Sequence, residues 1–333
     1  MPETRREPTQ TPETSVLNHR APAKMTPLVM AAFAAVYLIW GSTYLGIRIA
    51  IETFPPLVMV GIRHLMVGCL LYPAMRWKTG LKPTGAQWRA AAVTGLLLLF
   101  LSNGGLTWAE QVVPTGVASI LVATVSLWLV LLDWLRPGGT RPAAKVVAGL
   151  LLGFGGLALL VGPAHLGGSG RVNLTGAAIL VGASLCWAFG SLYSKHNAMP
   201  SAPLLGVAMQ SISGGLALCI AALLSGEYRD FHFGAVSLRS WSALAYLIFI
   251  GSGVGYSAYI YILQKSTAAR VATYAFVNPV VALFLGWLVL GEGITLRTML
   301  SAAVILTAVF LVITAPHSEP LKTRRLEAAS EES

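Results

Sequence analysis

The sequence predicts an all-α integral membrane protein of ten transmembrane helices, arranged as two inverted five-helix repeats. Three observations predict it. Apolar stretches of spanning length fill residues 27 to 314. The 333-residue chain is 55% hydrophobic and only 11% charged, against roughly 25% charged in ordinary soluble domains, so it cannot cover a water-soluble surface. Short motifs of the first half recur, in the same order, in the second.

The elements follow in order. Residues 1–26 are polar and rich in Pro and Thr, without an apolar run ahead of a small-residue cleavage site, and read as a cytoplasmic tail rather than a signal peptide. Spans 1 to 5 are expected at about 27–47, 56–75, 87–107, 114–135 and 144–162, forming a first unit over 27–163. Spans 6 to 10 are expected at about 174–195, 203–224, 240–262, 271–291 and 297–314, forming a second unit over 172–315. Most hold close to the ~20 residues that cross a ~30 Å hydrocarbon core at 1.5 Å per residue. Residues 316–333 form a second polar tail.

A net charge of +10 would suggest nucleic acid in a soluble protein, so the placement of the 23 basic residues decides. With alternate sides counted across ten spans, seventeen fall on the side of the N-terminus, including Lys24, Arg76, Arg136, Lys145 and Arg270. Five fall on the other side: Arg48, Arg171, Arg229, Arg239 and Arg297. Arg63 lies inside a span. The positive-inside rule then places both termini in the cytoplasm and explains the basic balance by topology, not by nucleic acid. Cys69, Cys186 and Cys219 stand singly in three spans with neither metal nor redox spacing and read as small apolar residues. No metal site or cofactor is expected.

The internal repeat rests on three offsets. Trp40-Gly41-Ser42-Thr43-Tyr44 in span 1 matches Phe189-Gly190-Ser191-Leu192-Tyr193 in span 6, 149 residues on. Val117-Ala118 matches Val271-Ala272 at 154, which sets Thr124 on Asn278. Leu160-Val161-Gly162-Pro163 matches Ile313-Thr314-Ala315-Pro316 at 153. Five is odd, so the second unit enters the membrane from the opposite side. In transporters such inverted units place the substrate site near the midplane between them, and exchange between them gives alternating access.

These residues also carry a family resemblance. Trp40 through Arg48, then Pro55-Pro56 and Gly61-Ile62-Arg63, resemble the start of an EamA-type domain of the drug/metabolite transporter superfamily. Val277-Asn278-Pro279-Val280 and Leu290-Gly291-Glu292 resemble the matching segment of its second domain. The resemblance covers about residues 27 to 314 and implies a ten-helix exporter of small metabolites or drugs in a bacterial inner membrane, with a cavity lined by both halves. The first half departs from the pattern with Ser126 where a proline is common and Leu132-Asp133-Trp134-Leu135-Arg136 where a Gly-Glu ending is common.

Polar groups in a bilayer must face protein, water or substrate, so they locate the expected cavity. In span 1, Trp40, Tyr44 and Arg48 share a helix face at i, i+4, i+8, and Phe189, Tyr193 and Asn197 repeat the spacing in span 6. Trp40 is too deep for the interfacial aromatic belt; Tyr44 and Tyr193 fit either an anchor or a cavity. Tyr274 and Asn278 lie one turn apart in span 9, just before Pro279, which removes a backbone donor and loosens the helix. Asn103 in span 3 and Tyr256 in span 8 are expected to face the same cavity. Arg63 lies about 10 Å inside the core, where an arginine costs up to ~3 kcal/mol. It reads either as an anchor for a substrate carboxylate or as a tie to backbone carbonyls, Glu110 or Glu52. His64 points about 100° away and reads as a packed histidine.

No carboxylate is expected at the midplane, so facilitated export fits the residues at least as well as proton coupling. The aromatic, weakly charged cavity favours amphiphilic or amino-acid-like metabolites over phosphorylated ones, which call for clustered Arg and Lys. A membrane enzyme acting on lipid or isoprenoid is the alternative, but the six histidines are scattered and no acid-base cluster, Walker loop or nucleotide fingerprint occurs. A channel would need a filter motif or charge ring, and neither is present. The expected partners are a small-molecule substrate and the lipid bilayer; a homo-oligomer is compatible with the sequence, which names neither solute nor coupling ion.

Overall fold

The computed structural model describes residues 26–113, 118, 121–137, 139, 141–161, 173–229, 231–290 and 296–316. Among them every element is helical. Ten main helices follow in order: α1 (Pro27–Ala50), α2 (Pro56–Thr79), α3 (Gly85–Ala109), α4 (Val125–Leu135), α5 (Ala144–Val161), α6 (Leu174–His196), α7 (Pro203–Ser225), α8 (Leu238–Lys265), α9 (Tyr274–Leu290) and α10 (Leu296–Ile313). α1, α2, α3, α6, α7 and α8 are each long and apolar enough to cross a membrane. Residues 1–25 and 317–333 of the tails, together with Val117, Gly162-Pro163 and Gly291-Glu292, lie outside the described residues.

Helix starts carry the expected local chemistry. Pro27, Pro56 and Pro203 open α1, α2 and α7, where a missing N–H costs nothing. Thr26, Asn173 and Ser237 cap α1, α6 and α8 through their side-chain oxygens, and Thr84 with Gln87 forms a capping box at α3. Gly80 and Gly226 end α2 and α7 at φ 64° and 81°, the left-handed conformation that glycine adopts without strain.

Two departures from regular helix matter for the site. α3 and α8 are not uniform: each widens into a π-helix through its middle, Leu96–Gly104 and Leu247–Tyr256. Span 9 is broken at Thr273, between a short helix Ala268–Ala272 and α9, whereas Pro279 stays inside α9. At the break the Thr273 Oγ1 donates to the carbonyl of Arg270 at 2.6 Å, a local bond that competes with the backbone ladder. Thr124 does the same before α4, donating to Leu121 O at 2.6 Å.

Packing is organised by matched pairs. α2 packs along α7, and α5 along α10. α1 packs on α8 and α9, while α6 packs on α3 and α4; α2 also meets α8, and α7 meets α3. With no hydrophobic drive between helices in lipid, close approach of small residues holds such bundles. A Cβ on Gly214 of α7 would lie 2.6 Å from Gly95 O of α3, so this crossing needs glycine on both sides. Large apolar side chains such as Leu224, Leu151 and Phe310 point outward, at 82%, 69% and 64% exposure, which suits lipid rather than water. At one end of the bundle Lys145 Nζ and Arg270 Nε donate to the last carbonyls of α10, Thr314 O at 3.4 Å and Ile313 O at 3.0 Å. At the other end Glu227 Oε2 accepts from Leu57 N and Val58 N at 2.9 and 3.0 Å, joining the end of α7 to the start of α2.

Candidate functional site

The site begins with α1. Trp40, Thr43, Tyr44 and Ile47 fall on one face by helical spacing, and all four line an internal cavity of about 90 Å³, room for several waters or part of a small solute. Trp40 Nε1 donates to Gly251 O in the π-helix of α8 at 3.2 Å. That approach depends on glycine at the next turn, since a Cβ on Gly255 would lie 2.8 Å from the indole nitrogen.

An aromatic wall surrounds Trp40. Its ring centroid lies 5.4 Å from Trp187 and 5.2 Å from Tyr274, both edge to face, and 5.0 Å from Tyr259. Such pairs are worth about 0.5–1.5 kcal/mol beyond burial, so the wall is stiff. Its polar tips are tied within the protein: Trp187 Nε1 donates to Tyr259 Oη at 2.9 Å, Tyr259 Oη pairs with Ser191 Oγ at 2.6 Å, and Tyr256 Oη donates to Gln210 Oε1 at 2.6 Å.

The polar groups facing the same space are less satisfied. Arg63, 5% exposed, donates from Nε to Ser252 Oγ at 2.7 Å, and this is the one hydrogen bond it makes among the described residues. The expected tie to Glu110 or Glu52 is absent among those residues; Glu52 instead lies 3.8 Å from Arg239. His64 is buried with both ring nitrogens unpartnered, and Asn278 is buried with its Oδ1 unpartnered. Ser102 and Asn103 enter from the π-helix of α3, and Gly251, Ser252 and Tyr256 from that of α8.

Of the residues expected from sequence, Trp40, Tyr44, Arg63, Asn103, Tyr256, Tyr274 and Asn278 are brought together around this cavity. Thr124 and Tyr193 do not line it. Thr124 sits in the break between Val122 and Val125, which do, with its hydroxyl turned back to Leu121. Phe189, matched to Trp40 by local sequence, is 51% exposed on the outer face. Trp187 takes the cavity position instead. The signal for it was present: Trp40 and Trp187 differ by 147, as do Pro56 and Pro203, which open α2 and α7. His64, read as a packed residue, lines the cavity, as do Thr43, Ser184 and Ser252, which sequence reasoning did not single out.

A ten-helix bundle enclosing a polar-aromatic cavity has known relatives. The EamA-like transporter family matches residues 27–162 and again 174–314. The chain belongs to this family. It is 37% identical to an inner membrane transporter of Escherichia coli K12, YedA, itself uncharacterised, over 90% of this chain and 94% of that one. It is 27% identical to the uncharacterised transporter YvbV of Bacillus subtilis, over 87% and 94% of the two chains. It is 25% identical to a probable amino-acid metabolite efflux pump of Escherichia coli K12, over 83% and 91%. A solved crystal structure superposes with a TM-score of 0.73 at 19% identity, covering 87% of this chain and 99% of that one, which shows the fold. This protein is thus a multi-pass membrane protein whose relatives are named as transporters and efflux pumps.

Proposed function

We propose that this protein exports small amino-acid-like or amphiphilic metabolites, or drugs of similar chemistry, by alternating access through the cavity described above. The observation that carries the reading is a polar-aromatic cavity lined by α1, α2, α3 and α4 of the first five helices and by α6, α8 and α9 of the second. Polar side chains are costly in hydrocarbon, and a water-filled or solute-filled path is what keeps them there. The matched contacts, α1 with α8 and α9 against α6 with α3 and α4, support inverted repeats that can exchange conformations. The family match to each half and the kinship with a probable amino-acid metabolite efflux pump support the direction and the solute class.

The proposed location is a bacterial inner membrane with both termini in the cytoplasm, supported by the bias of basic residues toward one side. The site residues proposed for substrate are Trp40, Tyr44, Asn103, Tyr256, Tyr274 and Asn278, with Thr124 and Tyr193 flanking and Arg63 as the charged group. The test is solute counterflow in proteoliposomes of purified protein over a panel of amino acids, amphiphiles and drugs, with and without a pH gradient. Saturable uptake of at least one solute is expected. A folded protein that moves none of a broad panel would sink the reading, and acceleration by the gradient would assign proton coupling.

A further inference from the structure

We infer that Arg63 is the anchor for a carboxylate on the transported solute, and that the cargo class is monocarboxylates carrying an N–H donor and an apolar body. The inference rests on the transport reading and adds the chemistry of its site. A guanidinium has five N–H donors and is always charged. In Arg63 only Nε is engaged, by Ser252 Oγ, and the two Nη groups have no acceptor among the described residues. The described ion pairs, Asp133 with Arg136 and Glu52 with Arg239, lie at helix ends and do not involve it. A cation 5% exposed without a counterion is among the most costly groups a membrane protein can bury. An anion in the cavity removes that cost.

The geometry suits a carboxylate. Ser252 holds the Nε side of the guanidinium, which leaves the Nη fork for two parallel N–H···O bonds. Glycine at 251 leaves the guanidinium room, since a Cβ there would lie 3.2 Å from Nη2. His64, next in the chain, lines the same cavity with unpartnered ring nitrogens. Among the described residues Arg63 is the one Lys or Arg lining the cavity, so the charge matches one carboxylate and not a phosphate dianion. The unpartnered Asn278 Oδ1 supplies the acceptor for an N–H on the solute, and Trp40, Tyr44 and Tyr274 supply the apolar wall.

The experiment uses the full chain in proteoliposomes and four probes: L-leucine, L-phenylalanine and the primary amide of each. The wild type is expected to transport the acids with affinity at least about tenfold above the amides. Arg63→Gln is expected to lose about 30-fold or more toward the acids and less than about threefold toward the amides. Ser252→Ala, a smaller change that keeps the charge, is expected to weaken the acids about fivefold and the amides by less than about twofold, and it decides the matter should Arg63→Gln not reach the membrane. Transport of amides as well as or better than acids, or equal losses for both in the variants, overturns the carboxylate anchor while leaving the transport reading intact. No transport of these four or of the wider panel overturns the transport reading instead.

Discussion

Arg63 and Gln210 occupy the same place in their helices, the eighth position of α2 and of α7, and they do opposite things. Gln210 is closed off: its Oε1 accepts from Tyr256 Oη at 2.6 Å and its Nε2 lies 3.8 Å from Met199 Sδ, and it does not line the cavity. Arg63 gives one donor to Ser252 and turns the rest toward the cavity. The same contrast recurs in the fifth residue of α4 and of α9, Leu129 against Asn278. The matched helices share a frame, while the unpartnered polar groups that line the cavity, among the described residues, sit on α2 and α9. A binding site needs that asymmetry, because a solute with one charged end cannot be held equally by two equivalent walls.

The comparison is tested most strongly at the cavity. Trp40→Ala and Asn278→Ala are expected to lower transport about tenfold or more, as loss of a buried contact or hydrogen-bond partner worth roughly 1–3 kcal/mol implies. Protein level in the membrane is expected to hold. Leu129→Ala, which helix registration sets opposite Asn278 in place of the Thr124 that local sequence similarity offered, is expected to leave solute affinity within about twofold, since Leu129 is fully buried and does not line the cavity. Uptake assays of the three variants, normalised to membrane protein, decide this. An equal loss at Leu129 and Asn278 would erase the distinction between the two walls.

A second test exchanges the readout. Gln210→Leu is expected to cost about 1–3 kcal/mol of stability, because Tyr256 Oη keeps its burial and loses its acceptor. Solute affinity is expected to change less than about twofold. Thermal unfolding in detergent, with and without bound solute, separates the two effects. A large loss of affinity with stability unchanged would place Gln210 in the site alongside Arg63.

The sequence carried much of this and missed specific parts for physical reasons. Several expected spans match the helices closely, as in 203–224 against Pro203–Ser225, because apolar length is set by bilayer thickness, whereas spans 4 and 9 are interrupted at Thr124 and Thr273. Polar residues inside spans pointed to the cavity because burial in hydrocarbon leaves them few alternatives. The pairing of Trp40 with Phe189 followed local similarity, and helix registration favours Trp187, the fourteenth residue of α6 as Trp40 is of α1. The π-helices of α3 and α8 have no compositional mark, since a widened turn is a backbone event that ordinary Leu, Ser and Gly tolerate. The break in span 9 fell at Thr273 and not at Pro279, the sixth residue of α9, which the helix accommodates without ending.

The smallest expected effect concerns the helix ends. The first N–H groups of α2 are satisfied in trans by Glu227, whereas α7, its matched helix, opens at Ala202 with no side-chain cap. Glu227→Ala is expected to cost about 1 kcal/mol, the usual worth of a cap, and Glu227→Gln less, since its amide oxygen still accepts. Burial raises the Glu227 carboxyl above its ordinary range against the lowering effect of the Val58 and Leu57 N–H groups. A carboxyl whose pKa rises on folding binds its proton more tightly in the folded state. Its contribution to stability is therefore largest at acidic pH and declines as pH climbs through and above the usual carboxylate range. Glu227→Gln should flatten that part of the stability profile. If the wild type instead gains stability over that interval and the variant does not, the two N–H bonds outweigh burial, and the α7-to-α2 contact is an ion-dependent cap that acid releases.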